Sequence, residues 1–309
     1  MSKRNFMELI EAKWNAGKFV CLGLDSELKR VPREYLRSAR FCRGAYASDA
    51  VLEFNKIIVD MTHNIVGAYK PNAAYYETLG DHGMVILRKT IEYINEVAPD
   101  VPVIYDAKRA DIGNTNRGYV VSAFEKLCAD AITVNPYFGG EEALSPFLAM
   151  KDKGIIVLCR TSNSGAGELQ DLPILIGERE AQMTNFRKGT TVPFYQFVAA
   201  RVSRSWNKNG NCALVVGATA PHELGEVRNI VGEMPILVPG IGTQGGDIAA
   251  TLTQGLDACG QGLIINSSSG LIFADNGPDF AEATRRATFR LHQQIGDIRT
   301  IVLEERESV

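Results

Sequence analysis

Short, continuous apolar runs rich in β-branched residues recur along the chain, each ending in small, polar or charged residues. They are FVCLGLD (19–25), NIVGAYKPN (64–72), VPVIYDAK (101–108), DAITVNPY (130–137), GIIVLCRTS (154–162), NCALVVGAT (211–219), PILVPGIG (235–242) and GLIINSSS (262–269). Runs that stay apolar without alternating predict parallel strands buried on both faces. Helical periods lie between and after them, at 49–63, 84–97, 193–208 and 278–295. Eight β/α units in about 250 residues match a (β/α)8 barrel. A doubly wound open sheet is the structural alternative.

No Pro/Ser linker or shift in composition marks a boundary, so residues 1–309 read as one domain. The N-terminal stretch MSKRNFMELIEAKWNAGKF predicts an amphipathic helix rather than a signal peptide, because Glu8, Glu11 and Lys13 interrupt its apolar positions. One long interruption, 162–191, follows the fifth run and is rich in Gly, Ser and polar residues. An active-site lid and a solvated loop insertion both fit it.

Composition narrows the function classes. The 309 residues carry 33 basic and 36 acidic side chains, a net charge of −3, so no global field attracts a nucleic-acid polymer. Any anionic ligand must then be held by locally placed groups. No apolar stretch approaches the roughly 18 residues of a membrane span. Cys21, Cys42, Cys128, Cys159, Cys212 and Cys259 form no CxxC pair and read as small core residues of a cytoplasmic protein. Four isolated histidines (His63, His82, His222, His292) give no zinc-ligand pattern, so no metal site is expected.

In a parallel barrel the site lies at the C-terminal strand ends. Polar residues there are Asp25, Lys70, Asp106, Lys108, Asn135, Arg160, Ser162, Gln244 and Asn266. The densest group is DAKRADIGNT (106–115). Asp106 and Lys108, two apart, point to the same side of an extended backbone, and Asp111 follows past the strand end. A solvated strand-to-loop charge run is the plain alternative. Alternating carboxylates and ammonium groups hold one another ionised, stress a substrate anion set against a carboxylate, and can deliver a proton where negative charge develops. Decarboxylation to a carbanion needs that combination.

The segment PGIGTQGG (239–246) contains a GxGxxG string between a strand and a helix. The dinucleotide fingerprint is disfavoured, because no acidic strand end follows about twenty residues on. A phosphate-binding turn opening a helix is the better reading, with a ligand-free tight turn as the alternative.

Taken together, DAKRADIGNT, GLD (23–25), YKPNAAYYE (69–77), CRTSNSGAGE (159–168) and PGIGTQGGD (239–247) resemble orotidine 5′-phosphate decarboxylases of the longer bacterial type, across roughly residues 19 to 276. The resemblance implies cofactor-independent conversion of orotidine 5′-phosphate to UMP and carbon dioxide. It implies a catalytic tetrad of Lys70, Asp106, Lys108 and Asp111. Asp106 would lie against the departing carboxylate, Lys108 would protonate carbon 6, and Lys70 would hold Asp106 and the ribose. Asp111 and Thr115 would reach the site of a partner subunit, which implies a homodimer. Asp25 would bind ribose hydroxyls, Ser162 would read the pyrimidine edge, and Gln244 would bridge phosphate and base. Gly242, Ser268 and Ser269 complete the expected substrate-binding set.

Two positions depart from the family's pattern. Alignment on Ala274-Asp275-Asn276 puts Ser269 where the family usually carries a phosphate-binding arginine. A charge-assisted arginine–phosphate pair is worth about 1.5–3 kcal/mol, and serine cannot form one, so weaker substrate binding is expected. Ser164 replaces a common proline after TSN, which loosens the start of the interruption. Two alternatives therefore stand beside the decarboxylase: a non-catalytic nucleotide-binding paralogue, and a magnesium-dependent sugar-phosphate decarboxylase or aldolase of the same superfamily.

Overall fold

The computed structural model describes residues 4–32, 48–242 and 245–308. Each of the eight apolar runs forms a strand: β1 (Val20–Leu24), β2 (Ala68–Pro71), β3 (Ile104–Arg109), β4 (Ala131–Val134), β5 (Gly154–Arg160), β8 (Cys212–Val216), β9 (Ile236–Pro239) and β10 (Leu263–Ser267). All are parallel, in the spatial order β2-β1-β10-β9-β8-β5-β4-β3. β1, β4, β8 and β10 are buried at every residue, which is why their sequences do not alternate. The ring closes between β2 and β3 through the single bridges Tyr69–Val103 and Asn72–Asp106, and through the Tyr69 N–H donating to the Pro102 carbonyl at 3.0 Å. The chain is therefore the expected (β/α)8 barrel, and its β2–β3 seam is paired more sparsely than the seams beside it.

The N-terminal helix (Phe6–Asn15) seals the N-terminal end of the barrel. Its buried face is Phe6, Ile10 and Trp14. Trp14 Nε1 donates to the carbonyl of Leu263, where β10 begins, at 2.7 Å, and Phe6 N–H donates to Asp152, just before β5, at 3.0 Å. The C-terminal helix runs from Phe280 to Glu307, well past the predicted 278–295, and Phe280 stacks on Phe54 of the helix Asp49–Thr62. No helix among the described residues is long and apolar enough to cross a membrane.

The interruption after β5 has regular structure of its own. A short helix (Gly167–Gln170) leads into β6 (Pro173–Leu175), which pairs antiparallel with β7 (Thr191–Pro193) around the helix Glu178–Met183. Strands of three residues carry too little period to be seen in sequence. The cysteine expectation holds for Cys21, Cys159 and Cys212, which are buried, and fails for Cys128 and Cys259, which are exposed. Cys128 takes a left-handed backbone (φ 55°) in the turn before β4, and Cys259 sits in the turn before β10. Cys42 lies outside the described residues.

One buried polar hub fixes the end of β1. Asn55 accepts from the Ser26 hydroxyl at 2.6 Å and donates to Tyr76 (3.0 Å) and Thr90 (3.1 Å), while Tyr76 donates to the Leu24 carbonyl at 3.3 Å. Asp25 is thereby held on both sides. Asn55→Ala strands two hydroxyls and opens a void, so we expect a loss of about 2–4 kcal/mol of stability. Urea unfolding measures it; a loss under about 1 kcal/mol would remove Asn55 as the hub.

Candidate active site

The C-terminal strand ends surround a cavity of ≈ 580 Å3 whose wall includes Asp25, Lys70, Asp106, Lys108, Ser162 and Ser269. Lys70 ends β2 and is buried, and its Nζ lies 2.9 Å from Asp106 Oδ2 on β3. Lys108 Nζ lies 2.7 Å from the other oxygen, Oδ1, with half of its side chain exposed toward the cavity. One carboxylate is thus clamped by two ammonium groups at the barrel mouth.

Asp106 and Lys108 do share a side, but not because the strand is regularly extended between them, as the spacing predicts. The β3–β4 register shifts between Tyr105 and Arg109, and Lys108 has φ 49°. A left-handed non-glycine residue costs roughly 1–2 kcal/mol and persists only where its surroundings over-determine it. Here a local bulge, and not strand alternation, brings the ammonium alongside Asp106.

Electrostatics keep the array charged. Burial alone would push the Asp106 carboxyl upward, but Lys70 and Lys108 outweigh it and hold the group well below the usual carboxylate range. For Lys70, burial favours the neutral amine; the charges of Asp106 and then Asp25 overcome this and hold the ammonium above the ordinary lysine value. Asp25 Oδ1 and Asn266 Oδ1 are buried and accept no hydrogen bond from a described residue. Both residues line the cavity, although these two oxygens have no exposed surface there.

The opposite end of the cavity is made by Gly240, Ile241 and Ser267–Ser269. Gly240 and Gly242 have φ of 104° and 93°, which side chains rarely adopt, so the turn requires glycine. Ser268 packs so tightly on β1 that a Cβ at Gly23 would come 1.9 Å from its Oγ. Gly242 stands beside Ser267 without lining the cavity. The helix opened by this turn (Ile248–Gly255) is capped by Asp247, whose carboxylate accepts from the Ala250 N–H at 3.1 Å. Asp247 thus takes one N–H of the helix's first turn. Gln244 lies outside the described residues.

Asp111 and Thr115 do not line the cavity of their own chain. Asp111 Oδ1 accepts from the Ile112 N–H at 2.6 Å, and Thr115 is exposed on the helix Gly113–Val120.

This geometry coincides with a family assignment. The sequence profile described as the orotidine 5′-phosphate decarboxylase / HUMPS family matches residues 18–284. The chain belongs to this family. It is 43% identical over 292 residues to an orotidine 5′-phosphate decarboxylase of Cellvibrio japonicus, covering 94% of this chain and 98% of the relative. It is 44% identical over 296 residues to one from an Azoarcus species, covering 96% and 100%. Among solved structures, Leishmania donovani OMP decarboxylase superposes with a TM-score of 0.76 at 36% identity, covering 96% of this chain and 99% of that one. The UMP synthase of the same organism gives 0.78 at 36% identity; there the match covers 96% of this chain and only 57% of the synthase.

Within the orotidine 5′-phosphate decarboxylase / HUMPS fold, the cavity also exposes residues that sequence reasoning passed over. Thr133 lies in an apolar strand, where a lone hydroxyl is unremarked, yet it lines the cavity. Asn72 directly follows β2, and Tyr75 lies four residues past it. Thr161 lies at the end of the fifth run, and Asn163 and Gln170 come from the interruption: Gln170 accepts from the Thr161 N–H at 2.8 Å and donates to its hydroxyl at 2.8 Å. Arg160, a strand-end cation in sequence, turns away to pair with Asp171 at 2.9 Å.

The pH dependence follows from the two shifts. Asp106 is depressed, so its contribution is present above its unfolded value near 4 and is lost as pH falls below that. Lys70 is raised, so its contribution is present below about 10.4 and is lost as pH rises through the folded value. Lys70→Met leaves a buried carboxylate short of a partner, and a loss of about 3–5 kcal/mol is expected at neutral pH. The gap between parent and variant should stay level from about pH 5 to 9 and narrow below about pH 4. Urea unfolding across that range checks it; a gap unchanged at pH 3 would contradict the ion-pair assignment.

Proposed function

We propose that this chain decarboxylates orotidine 5′-phosphate to UMP and carbon dioxide. The observation carrying this reading is the buried Lys70–Asp106–Lys108 array at the mouth of a barrel of the orotidine 5′-phosphate decarboxylase / HUMPS family. Asp106 cannot take up a proton readily between two ammonium groups, so a substrate carboxylate set against it is repelled. As the C–C bond breaks, carbon dioxide leaves and the electron pair stays on carbon 6. The Lys108 ammonium then gives that carbon a proton and recovers one from solvent.

The remaining roles follow the same reading. Lys70 orients Asp106 and meets the ribose, and the Asp25 carboxylate on the cavity wall accepts from ribose hydroxyls. Ser162 reads the pyrimidine edge; Gly242, Ser268 and Ser269, with Gln244 outside the described residues, receive the phosphate. The position of Asp111 and Thr115 outside their own cavity supports their completing the site of a second copy, and hence a homodimer. The reaction belongs in the cytoplasm with pyrimidine biosynthesis.

A weaker hold on phosphate accompanies this proposal. Among the described residues, the only cations lining the cavity are Lys70 and Lys108, and both are bonded to Asp106.

Loss of substrate absorbance tests the reading directly, with and without a chelator. Turnover that survives chelation is expected; none at millimolar substrate, with UMP still bound, would leave a nucleotide-binding paralogue. Lys108→Ala should lower kcat by about 10²–10⁴. Ser269→Arg should lower KM by about tenfold or more for the phosphorylated substrate and little for the nucleoside. Equal effects on both substrates would refute the phosphate role of Ser269.

A further inference from the structure

Thr133 on β4 makes two hydrogen bonds that fix their own direction. The backbone N–H of Lys108 approaches Thr133 Oγ1 at 2.9 Å, and an amide can only donate. The single hydroxyl proton therefore goes to Asp106 Oδ1, also at 2.9 Å, an acceptor while ionised. That same oxygen receives the Lys108 ammonium at 2.7 Å, whereas Lys70 takes Oδ2. Thr133 is 1% exposed, so water does not substitute for either bond.

The amide it holds belongs to the left-handed Lys108, at the register shift of β3 against β4. We infer that Thr133 is the positioning residue of the catalytic array, setting the Lys108 backbone and the Asp106 carboxylate with one hydroxyl. This rests on the decarboxylase reading and adds a group to it. When Lys108 gives up its proton, its grip on Asp106 Oδ1 weakens. Thr133 stays on that oxygen and Lys70 on the other, so the carboxylate keeps its orientation until Lys108 is reprotonated. Lys108 is the one member of the clamp whose charge changes during the cycle; Thr133 and Lys70 keep theirs.

Thr133→Val keeps the shape and removes the hydroxyl, while Thr133→Ser keeps the hydroxyl and removes the methyl. Thr133→Val should lower kcat by about 10- to 100-fold, the worth of hydrogen bonds to a charged group, with KM changed less than about threefold. Thr133→Ser should stay within about threefold of the parent in both. A serine variant as impaired as the valine one would assign the effect to packing and overturn the inference, as would a valine loss confined to KM. A crystal structure of Thr133→Val decides independently of turnover. We expect Lys108 to leave its left-handed backbone or its ammonium to leave Asp106; an unchanged array would overturn the inference. A parent inactive on orotidine 5′-phosphate would defeat the functional reading, and the crystal structure would still judge Thr133.

Discussion

The ion pair between Lys70 and Asp106 crosses the seam at which the barrel closes. Elsewhere neighbouring strands are joined by ladders of two or more consecutive pairs; β2 and β3 meet at two single bridges, one of which involves Asp106 itself. A buried carboxylate with its ammonium partner on the facing strand therefore serves architecture and chemistry at once. Burying two charges is costly, and breaking one partner away is costlier, so the pair holds the seam in one register. The Asp25 hub, the Lys108 bulge and the Thr133 hydroxyl are arranged around that fixed point.

Much of this was legible from residue patterns because the physics was local. Continuous apolar runs reported strands buried on both faces, and the rule that polar residues gather at C-terminal strand ends found Asp25, Lys70, Asp106, Lys108 and Ser162. What escaped was non-local or sub-periodic. The left-handed turn at Lys108 leaves no mark in composition, and Thr133 matters only through two partners on another strand. The ribbon β6–β7 is too short to show a period. Asp247 caps the helix after the glycine turn, a role that the GxGxxG string does not report.

The charges around the cavity are evenly balanced. Its described lining carries two carboxylates, Asp25 and Asp106, and two ammonium groups, Lys70 and Lys108. A nucleotide bearing a phosphate and a carboxylate thus meets no net attraction at close range, and its affinity must come from directed hydrogen bonds. The serine-rich end of β10 suits this, because Ser267, Ser268 and Ser269 stand on the cavity wall.

The seal formed by the N-terminal helix has a consequence for how the chain comes together. Trp14 is bonded to a carbonyl 249 positions downstream, and Phe6 to one before β5. During synthesis this helix emerges before the strands it seals and finds no complete docking surface until nearly the whole barrel has followed it. Closing such long loops is slow, so an amphipathic face waits exposed while the strands assemble. A segment made before its partners is thus among the last to settle, and its apolar face needs cover until the barrel is complete.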